Sequence, residues 1–284
     1  MTTHSLPTSP LKLFADDIKM YHIVNNLNDA LNFQSLISSL NSWCNESLLS
    51  INTDKCFIMH LGKSNLHYSY GLNGLKLPFT AQHKDLGVII DSSLTFEKHI
   101  AVTCSKARSR CALFFKAFIS RDPSSMKLFY TSFVRPLLEF SSPVWSPVSI
   151  SQINMLESVQ RNFTNRIPTC TYLPYQHRLS KLSLDSLQKR RLIADLVFVY
   201  SVVSGLCNTT LSPFLSFEHP INTRSHNLRL CRPSMRLSSS QQNFIARSAP
   251  SWNVLPAPVL ASVSKFVFRK KVTIHCKDPY FLQR

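Results

Sequence analysis

Residues 11–24 read LKLFADDIKMYHIV, and two adjacent acids, Asp16 and Asp17, lie between two stretches in which apolar and polar residues alternate. An alternation with a period of two residues predicts a strand on each side and a turn between them. A two-residue turn of this kind normally contains Asn-Gly or Asp-Gly, because both central residues need a positive φ. Asp-Asp is a poor turn sequence, so we infer that a requirement other than folding selected these acids.

The two carboxylates have two interpretations. Adjacent carboxylates at the tip of a hairpin can hold Mg²⁺, because Mg²⁺ prefers oxygen ligands and leaves positions open for phosphate oxygens. The alternative is an acidic turn that is merely solvated, which is the more common explanation of so short a motif. The hairpin alone does not decide between a metal site and a solvated turn.

The composition indicates a globular, intracellular protein. With 284 residues, of which 44% are hydrophobic, the chain can form one large or two ordinary domains. It has no charged leader followed by an apolar stretch and no run of roughly 18 apolar residues, so we expect a nuclear or cytoplasmic protein that is neither secreted nor held in a membrane. The eight cysteines include no Cys-x-x-Cys pair, which argues against a structural zinc site.

The positive charge is unevenly distributed along the chain. The formal net charge is +17, yet residues 1–97 hold six Lys and Arg against eight Asp and Glu, a net of −2. Residues 98–284 hold 26 Lys and Arg against seven acids, a net of +19. An acidic centre followed by a basic track is typical of a protein that acts on nucleic acid. The alternative is a chain that is rich in Lys and Arg for solubility.

Changes in hydrophobic period divide the chain into three predicted segments. Residues 1–97 combine short strands with one covering helix near 28–48, residues 98–205 have a helical period, and residues 206–284 form an irregular connector followed by short helices. These patterns predict an α+β fold. The other strands are predicted within 48–62 and 67–80 and around 86–90. The helices of the second segment are predicted near 98–119, 124–140, 151–166 and 185–204, with a kink or break at Pro136.

Five segments in this order resemble the C-terminal part of a reverse transcriptase from a LINE-type (non-LTR) retrotransposon. They are LFADD (13–17), LNSWCNESLLSINTDKCFIMHLG (40–62), KDLGVIIDSSLTFEKHI (84–100), FVRPLLEFSSPVWSP with LESVQRNFTNRI (133–147 and 156–167), and RSAPSWNVLPAPV with KFVFRKKV (247–259 and 265–272). The resemblance covers nearly the whole chain. It implies an incomplete antiparallel polymerase palm followed by a mostly helical thumb-like region, with an RNA template and a DNA primer as partners.

The resemblance assigns roles to individual residues of the palm. Asp16 matches the aspartate that helps to bind the catalytic Mg²⁺ pair, and Asp17 matches its supporting neighbour, so both are predicted catalytic and metal-binding residues. Lys55 matches a segment in which such polymerases often place a lysine near the leaving pyrophosphate; the alternative is an exposed lysine. Leu86 and Gly87 match the region beneath the primer end, although Gly87 would equally permit close strand packing.

The resemblance also implies that basic helices follow the template–primer backbone. Lys106 and Arg110 are four residues apart and share a helix face, although solvated pairs of this kind are common. At most two side chains of the run Lys189-Arg190-Arg191 can reach one phosphate track, because consecutive helical residues lie about 100° apart. We take these two as Lys189 and Arg190. The remaining candidates form the C-terminal run Arg269, Lys270 and Lys271, which would otherwise only solvate a terminal helix.

The chain departs from the family pattern upstream of the hairpin. Two-metal nucleotidyl transfer needs carboxylates from separated strands, and in the family an upstream aspartate supplies the other ligand. Residues 1–13 contain no acid. We therefore expect the N-terminal half of the polymerase, with its fingers, to be missing, and we expect Mg²⁺ binding and activity only in a complete enzyme. The alternatives are a stand-alone basic nucleic-acid-binding protein with a vestigial polymerase motif and, less favoured, a translated relic without function.

Overall fold

The chain divides into two units, one ending at Leu94 and the other beginning at Thr95. The computed structural model describes residues 11–62, 64–207, 216–217, 228–232 and 243–282. The division lies close to the predicted boundary at residue 97. The predicted boundary between residues 205 and 206 does not separate two units, because both segments belong to the second one.

The first unit begins with the predicted antiparallel hairpin. Strand β1 comprises Leu11–Phe14 and strand β2 comprises Asp17–Met20. The turn lies one residue earlier than Asp-Asp, because Phe14 pairs with Asp17 and leaves Ala15 and Asp16 as the central residues. Ala15 takes the positive φ of 51°. The expectation that both acids occupy the turn is therefore wrong, since Asp17 is the first residue of β2.

Helix α1, Leu27–Glu46, covers the small strands of this unit. Its start is fixed by the Asn26 side chain, which accepts a hydrogen bond from the backbone N–H of Asp29 at 2.9 Å. The Gln34 side chain bonds both backbone groups of Gly71, donating to its carbonyl at 2.9 Å and accepting from its N–H at 2.8 Å. Buried residues of the helix and strands form one core, namely Ala30, Ile37, Tyr70, Leu72 and Leu77.

The other strands form short antiparallel pairs. Strands β3 (Gly71–Leu72) and β4 (Leu75–Lys76) form one pair, and β5 (Gln82–Asp85) and β6 (Val88–Asp91) form another. Each pair is a separate two-stranded sheet in the described part of the chain. This mixture of helices and strands is compatible with the predicted α+β class, and the palm assignment stays a prediction.

The strand predicted within 48–62 is wrong, and the strand predicted around 86–90 is confirmed only from Val88 onward. Residues 48–62 contain a 3₁₀ turn, Thr53–Lys55, and one isolated bridge between Ile58 and Phe79 instead of a strand. The predicted single strand around 86–90 is the second arm of the β5–β6 hairpin, and the chain turns at Leu86 and Gly87. Their φ angles of 44° and 90° allow the tight turn that an uninterrupted strand excludes.

The second unit is helical. Its first helix, α2, is Glu97–Ala117. The predicted helix 124–140 is divided into α3 (Pro123–Phe129), a π turn (Tyr130–Val134) and α4 (Arg135–Glu139). The break follows from Pro136, which lacks an N–H and whose ring clashes with the preceding turn of an α-helix. Two further helices follow, α5 (Ser142–Trp145) and α6 (Ile150–Asn165).

The C-terminal helices complete the core of this unit. Helix α7, Tyr175–Leu182, was not predicted, because a helix of eight residues gives little periodicity. Helix α8, Leu187–Val203, contributes Leu196 and Val199 to a core that also contains Trp252 and Phe268 from later helices. The later helices are α9 (Phe244–Asn253), α10 (Ala257–Leu260), α11 (Lys265–His275) and α12 (Pro279–Leu282).

Buried polar groups connect the helices of the second unit. The Glu157 carboxylate accepts hydrogen bonds from the Tyr175 hydroxyl at 2.6 Å and from the Gln188 N–H at 2.8 Å. Burial raises the pKa of Glu157. Asp195 accepts two hydrogen bonds from the Arg247 guanidinium, at 2.8 and 3.2 Å. These contacts tie α6, α7, α8 and α9 together, so this network has a structural role.

None of the helices described by the structure is long and apolar enough to cross a membrane.

Candidate polymerase hairpin and nucleic-acid interface

Asp16 and Asp17 lie at the exposed end of the β1–β2 hairpin. Asp16 lies in the turn and Asp17 is the first residue of β2, so the two side chains are attached to backbone of different conformation. Phe14, which pairs with Asp17, is also exposed. The tip of the hairpin thus presents two carboxylates and one aromatic ring to its surroundings.

The hairpin is attached to the β5–β6 hairpin by an ion pair. Lys19 of β2 donates to the carboxylate of Asp85, the last residue of β5. Asp85 directly precedes the Leu86-Gly87 turn, so this ion pair brings two of the predicted palm segments together. Sequence reasoning missed the pair because 66 residues separate its members and no motif marks either of them.

The two aspartates provide only part of a metal site. Their oxygen atoms are ligands that Mg²⁺ prefers. However, the described residues contain no group of three or more His, Cys, Asp or Glu side chains that could hold a metal ion. The described residues alone therefore do not fit a complete two-metal centre, which needs carboxylates from separated strands.

The other predicted palm residues are also exposed. Lys55 is the last residue of the 3₁₀ turn, whose start is fixed by a 3.1 Å hydrogen bond from the Asp54 N–H to the Asn52 side chain. Leu86 is half exposed in the β5–β6 turn, and Gly87 has the left-handed conformation that favours glycine. This turn explains the glycine without close strand packing. A contact with primer or pyrophosphate stays a prediction for all three.

The predicted basic residues differ in how accessible they are. Lys106 and Arg110 are exposed on α2, and Arg110 donates to the Phe133 carbonyl at 2.7 Å. Lys189 forms an ion pair with Asp185 at 2.9 Å, and Arg190 forms a bidentate pair with Glu139. The cations at 189 and 190 are therefore engaged in ion pairs within the unit, and a phosphate contact of the more exposed Lys106 and Arg110 stays a prediction.

The C-terminal basic run lies on α11. Arg269 and Lys270 are exposed. Lys271 is also exposed, and its ammonium donates to the Pro258 carbonyl at 2.7 Å, which ties α11 to α10. Two cations of this run are thus placed to meet a polyanion, while the third has an internal acceptor.

Polymerases of transposons are distant relatives of the chain. It is 26% identical over 172 residues to the probable RNA-directed DNA polymerase from transposon BS of Drosophila melanogaster, and the match covers 57% of this chain and 19% of that protein. It is 26% identical over 168 residues to the RNA-directed DNA polymerase from mobile element jockey of Drosophila funebris, covering 54% of this chain and 17% of that protein. The chain spans less than a fifth of the length of these two relatives.

The match to a third relative covers a much larger share of that relative's length. The chain is 27% identical over 124 residues to the uncharacterized protein B0403.1 of Caenorhabditis elegans, and the match covers 43% of this chain and 63% of that protein. No protein-family model and no solved structure matches the chain. The relatives support the resemblance to reverse transcriptases that the five ordered segments indicated.

Proposed function

We propose that the chain is part of an RNA-directed DNA polymerase of a non-LTR retrotransposon, namely the C-terminal part with the Asp16-Asp17 palm hairpin, the thumb and the downstream region. The observation that carries the proposal is the exposed Asp16-Asp17 hairpin in a chain related to transposon polymerases. An RNA template and a DNA primer are the proposed partners. Asp16 and Asp17 would hold Mg²⁺, which supplies electrostatic stabilisation to a transferring phosphoryl group.

The hairpin needs neighbouring strands to complete the site. Its two strands have free edges, because they form a separate two-stranded sheet in the described part of the chain. Leu13, Phe14 and Ile18 are exposed on them, although apolar side chains normally face a partner. Strands from the rest of a polymerase would cover these side chains and bring the missing carboxylate. We therefore propose that the chain alone is inactive.

Primer extension tests this proposal. The isolated chain is expected to add no nucleotides to a DNA primer on an RNA template. The chain joined to the upstream palm and fingers of a transposon polymerase is expected to extend the primer when Mg²⁺ is present. Extension by the isolated chain contradicts the incomplete site, and an inactive but folded fusion contradicts the polymerase assignment.

A second candidate function is that of a stand-alone nucleic-acid-binding protein with a vestigial hairpin. The observation that favours it is the Caenorhabditis elegans relative, since nearly two thirds of that protein align with this chain. The genomic DNA upstream of the Met1 codon distinguishes the two candidates. An in-frame or once-frameshifted continuation that encodes palm and fingers supports the polymerase, whereas unrelated DNA supports the stand-alone protein.

Binding of nucleic acid should depend steeply on salt. We expect log K for duplex DNA to fall linearly with log salt, with a slope of about −0.9 for each phosphate neutralised. Replacing Lys106 and Arg110 together by Gln should make the slope less negative by about 1.8. The measurement is fluorescence anisotropy of a labelled duplex between about 50 and 200 mM salt.

Lys189→Gln is the matched control for this measurement. Lys189 is paired with Asp185 and its side chain is 14% exposed, so its replacement should leave the salt slope unchanged. If Lys189→Gln alters the slope as much as the double replacement on α2, the assignment of the phosphate contacts to α2 is wrong.

A further inference from the structure

Three phenylalanines of the second unit form a partly exposed row beside two cations. Phe118 follows the end of α2, Phe129 ends α3, and Phe133 lies in the π turn. Phe118 is 53% exposed and Phe133 is 56% exposed, values that are high for aromatic residues in helical segments. We call these three residues, together with Lys106 and Arg110, the aromatic stripe.

One neighbouring pair of rings in the aromatic stripe is stacked and the other is tilted. The centroids of Phe129 and Phe133 are 5.4 Å apart, with 20° between the ring planes. The centroids of Phe118 and Phe129 are 6.4 Å apart, with 51° between the ring planes. The π turn contributes to this arrangement, because it buries Tyr130 and Val134 and leaves Phe133 at the surface. Single π turns inside helices are often found at functional sites.

Positive charge accompanies the rings. Lys106 and Arg110 are four residues apart on α2, and the bond from Arg110 to the Phe133 carbonyl holds its guanidinium beside the aromatic row. After Glu97, α2 contains no acid. Of the nearby acids, Glu139 is paired with Arg190, and Asp122 is an exposed carboxylate that caps α3 through the Ser125 N–H at 2.8 Å. The chemistry of the surface is therefore cationic and aromatic.

We propose that the aromatic stripe binds unpaired nucleotides, with bases stacked on Phe118 and Phe133 and phosphates held by Lys106 and Arg110. This deepens the proposed function, on which it rests, by naming the form of nucleic acid that the helical unit takes. The bases of a duplex are stacked on one another and offer no face to a phenylalanine ring. An exposed ring therefore contributes to binding only when the strand is unpaired.

The surroundings of the rings favour nucleic acid over a protein partner. Protein interfaces have a core that is depleted of charged residues. In the aromatic stripe, Arg110 is held at Phe133 by its bond to the Phe133 carbonyl, the exposed Lys106 lies about one turn before it on α2, and α2 has no acid after Glu97. The positive charge of this surface therefore favours a polyanionic partner, and its exposed rings favour stacking with planar bases.

The test compares an unpaired strand with a duplex on the intact chain. Phe133→Ala should lower the affinity for oligo-uridine and oligo-thymidine of about 12 nucleotides roughly tenfold, and should change the affinity for duplex DNA less than about twofold. Phe133→Trp should keep or increase the affinity for the unpaired strand. Comparing oligo-uridine with oligo-thymidine shows whether RNA or DNA is the preferred source of the strand.

Tyr172→Ala is the control, because it removes an aromatic side chain that is 97% exposed in the loop before α7. It should change neither affinity. Equal losses for Phe133→Ala and Tyr172→Ala, or an equal loss for strand and duplex, overturn the proposal. Unchanged single-strand affinity in Phe133→Ala also overturns it and assigns the exposed rings to contact with a protein.

A loss of folding in Phe133→Ala would show as a lower melting temperature, and Phe133→Trp then decides the question. Its new indole fluorescence should be quenched by oligo-uridine and not by duplex DNA, and the absence of quenching overturns the proposal. Failure of the polymerase proposal is distinguishable, because it appears as missing primer extension by the fusion and does not alter the binding of unpaired strands.

Discussion

Asp16→Asn should reduce primer extension at least about a hundredfold in an assembled polymerase that contains this chain. The replacement removes one negative charge from a proposed ligand of Mg²⁺, so it weakens the stabilisation of charge in the transition state. Nucleic-acid affinity should stay within about twofold, because phosphate contacts with Lys and Arg dominate binding. The measurements are primer extension on an RNA template and a salt-titrated binding curve for each variant.

Two further replacements serve as comparisons for Asp16→Asn. Asp17→Asn should cause a smaller loss, because Asp17 is assigned a supporting role and lies in β2 instead of the turn. Asp29→Asn should leave extension unchanged, since Asp29 belongs to the start of α1 and its carboxylate accepts the Asn25 N–H at 2.8 Å. Full activity of the Asp16→Asn fusion would show that the hairpin is only an acidic turn.

Asp195→Ala should lower the free energy of unfolding by about 3–5 kcal/mol. Asp195 is 3% exposed and receives two hydrogen bonds from Arg247. Burial raises the pKa of Asp195, which indicates that desolvation outweighs the attraction of the guanidinium. The loss arises because the replacement takes the carboxylate countercharge away from the buried guanidinium of Arg247. Urea denaturation followed by circular dichroism measures the effect.

A double replacement tests this cause. Asp195→Leu combined with Arg247→Met removes both charges and keeps most of the side-chain volume, so it should recover at least half of the stability lost in Asp195→Ala. Lys189→Ala, which breaks a pair nearer the surface, should cost less than about 1 kcal/mol. A loss below about 1 kcal/mol for Asp195→Ala would contradict the structural role of the buried pair.

Long helices whose apolar pattern repeats over several turns were predictable from the sequence, and the positions of tight turns were not. Helices α1, α2, α6 and α8 lie within a few residues of their predicted ranges, because an apolar stripe that repeats over four or more turns marks one buried face. The hairpin at 11–20 was predicted as well. Its turn was misplaced because Ala15, and not glycine or an acid, takes the positive φ. That choice is made by strand pairing, which local sequence does not display.

In the candidate site, features set by local sequence were predictable, and features set by contacts between distant segments were not. Exposure of Asp16 and Asp17 follows from a hairpin, so the motif sufficed to predict it. Lys189 and Arg190 were expected to reach phosphates, yet Lys189 pairs with Asp185 and Arg190 pairs with Glu139. Glu139 precedes Arg190 by 51 residues, so no spacing rule connects them. Contacts between distant segments are the part that a single sequence conceals.

The sharing of one core by α8 and the later helices has a consequence for synthesis on the ribosome. Helix α8 ends at Val203, whereas α11, which packs against it, ends at His275. At roughly 5–20 residues per second, the roughly 70 residues between these points take about 4–14 seconds to make. During that interval Tyr200 lacks the ring of Phe268, on which it stacks in the folded chain, so this part of the core closes only after α11 has been made.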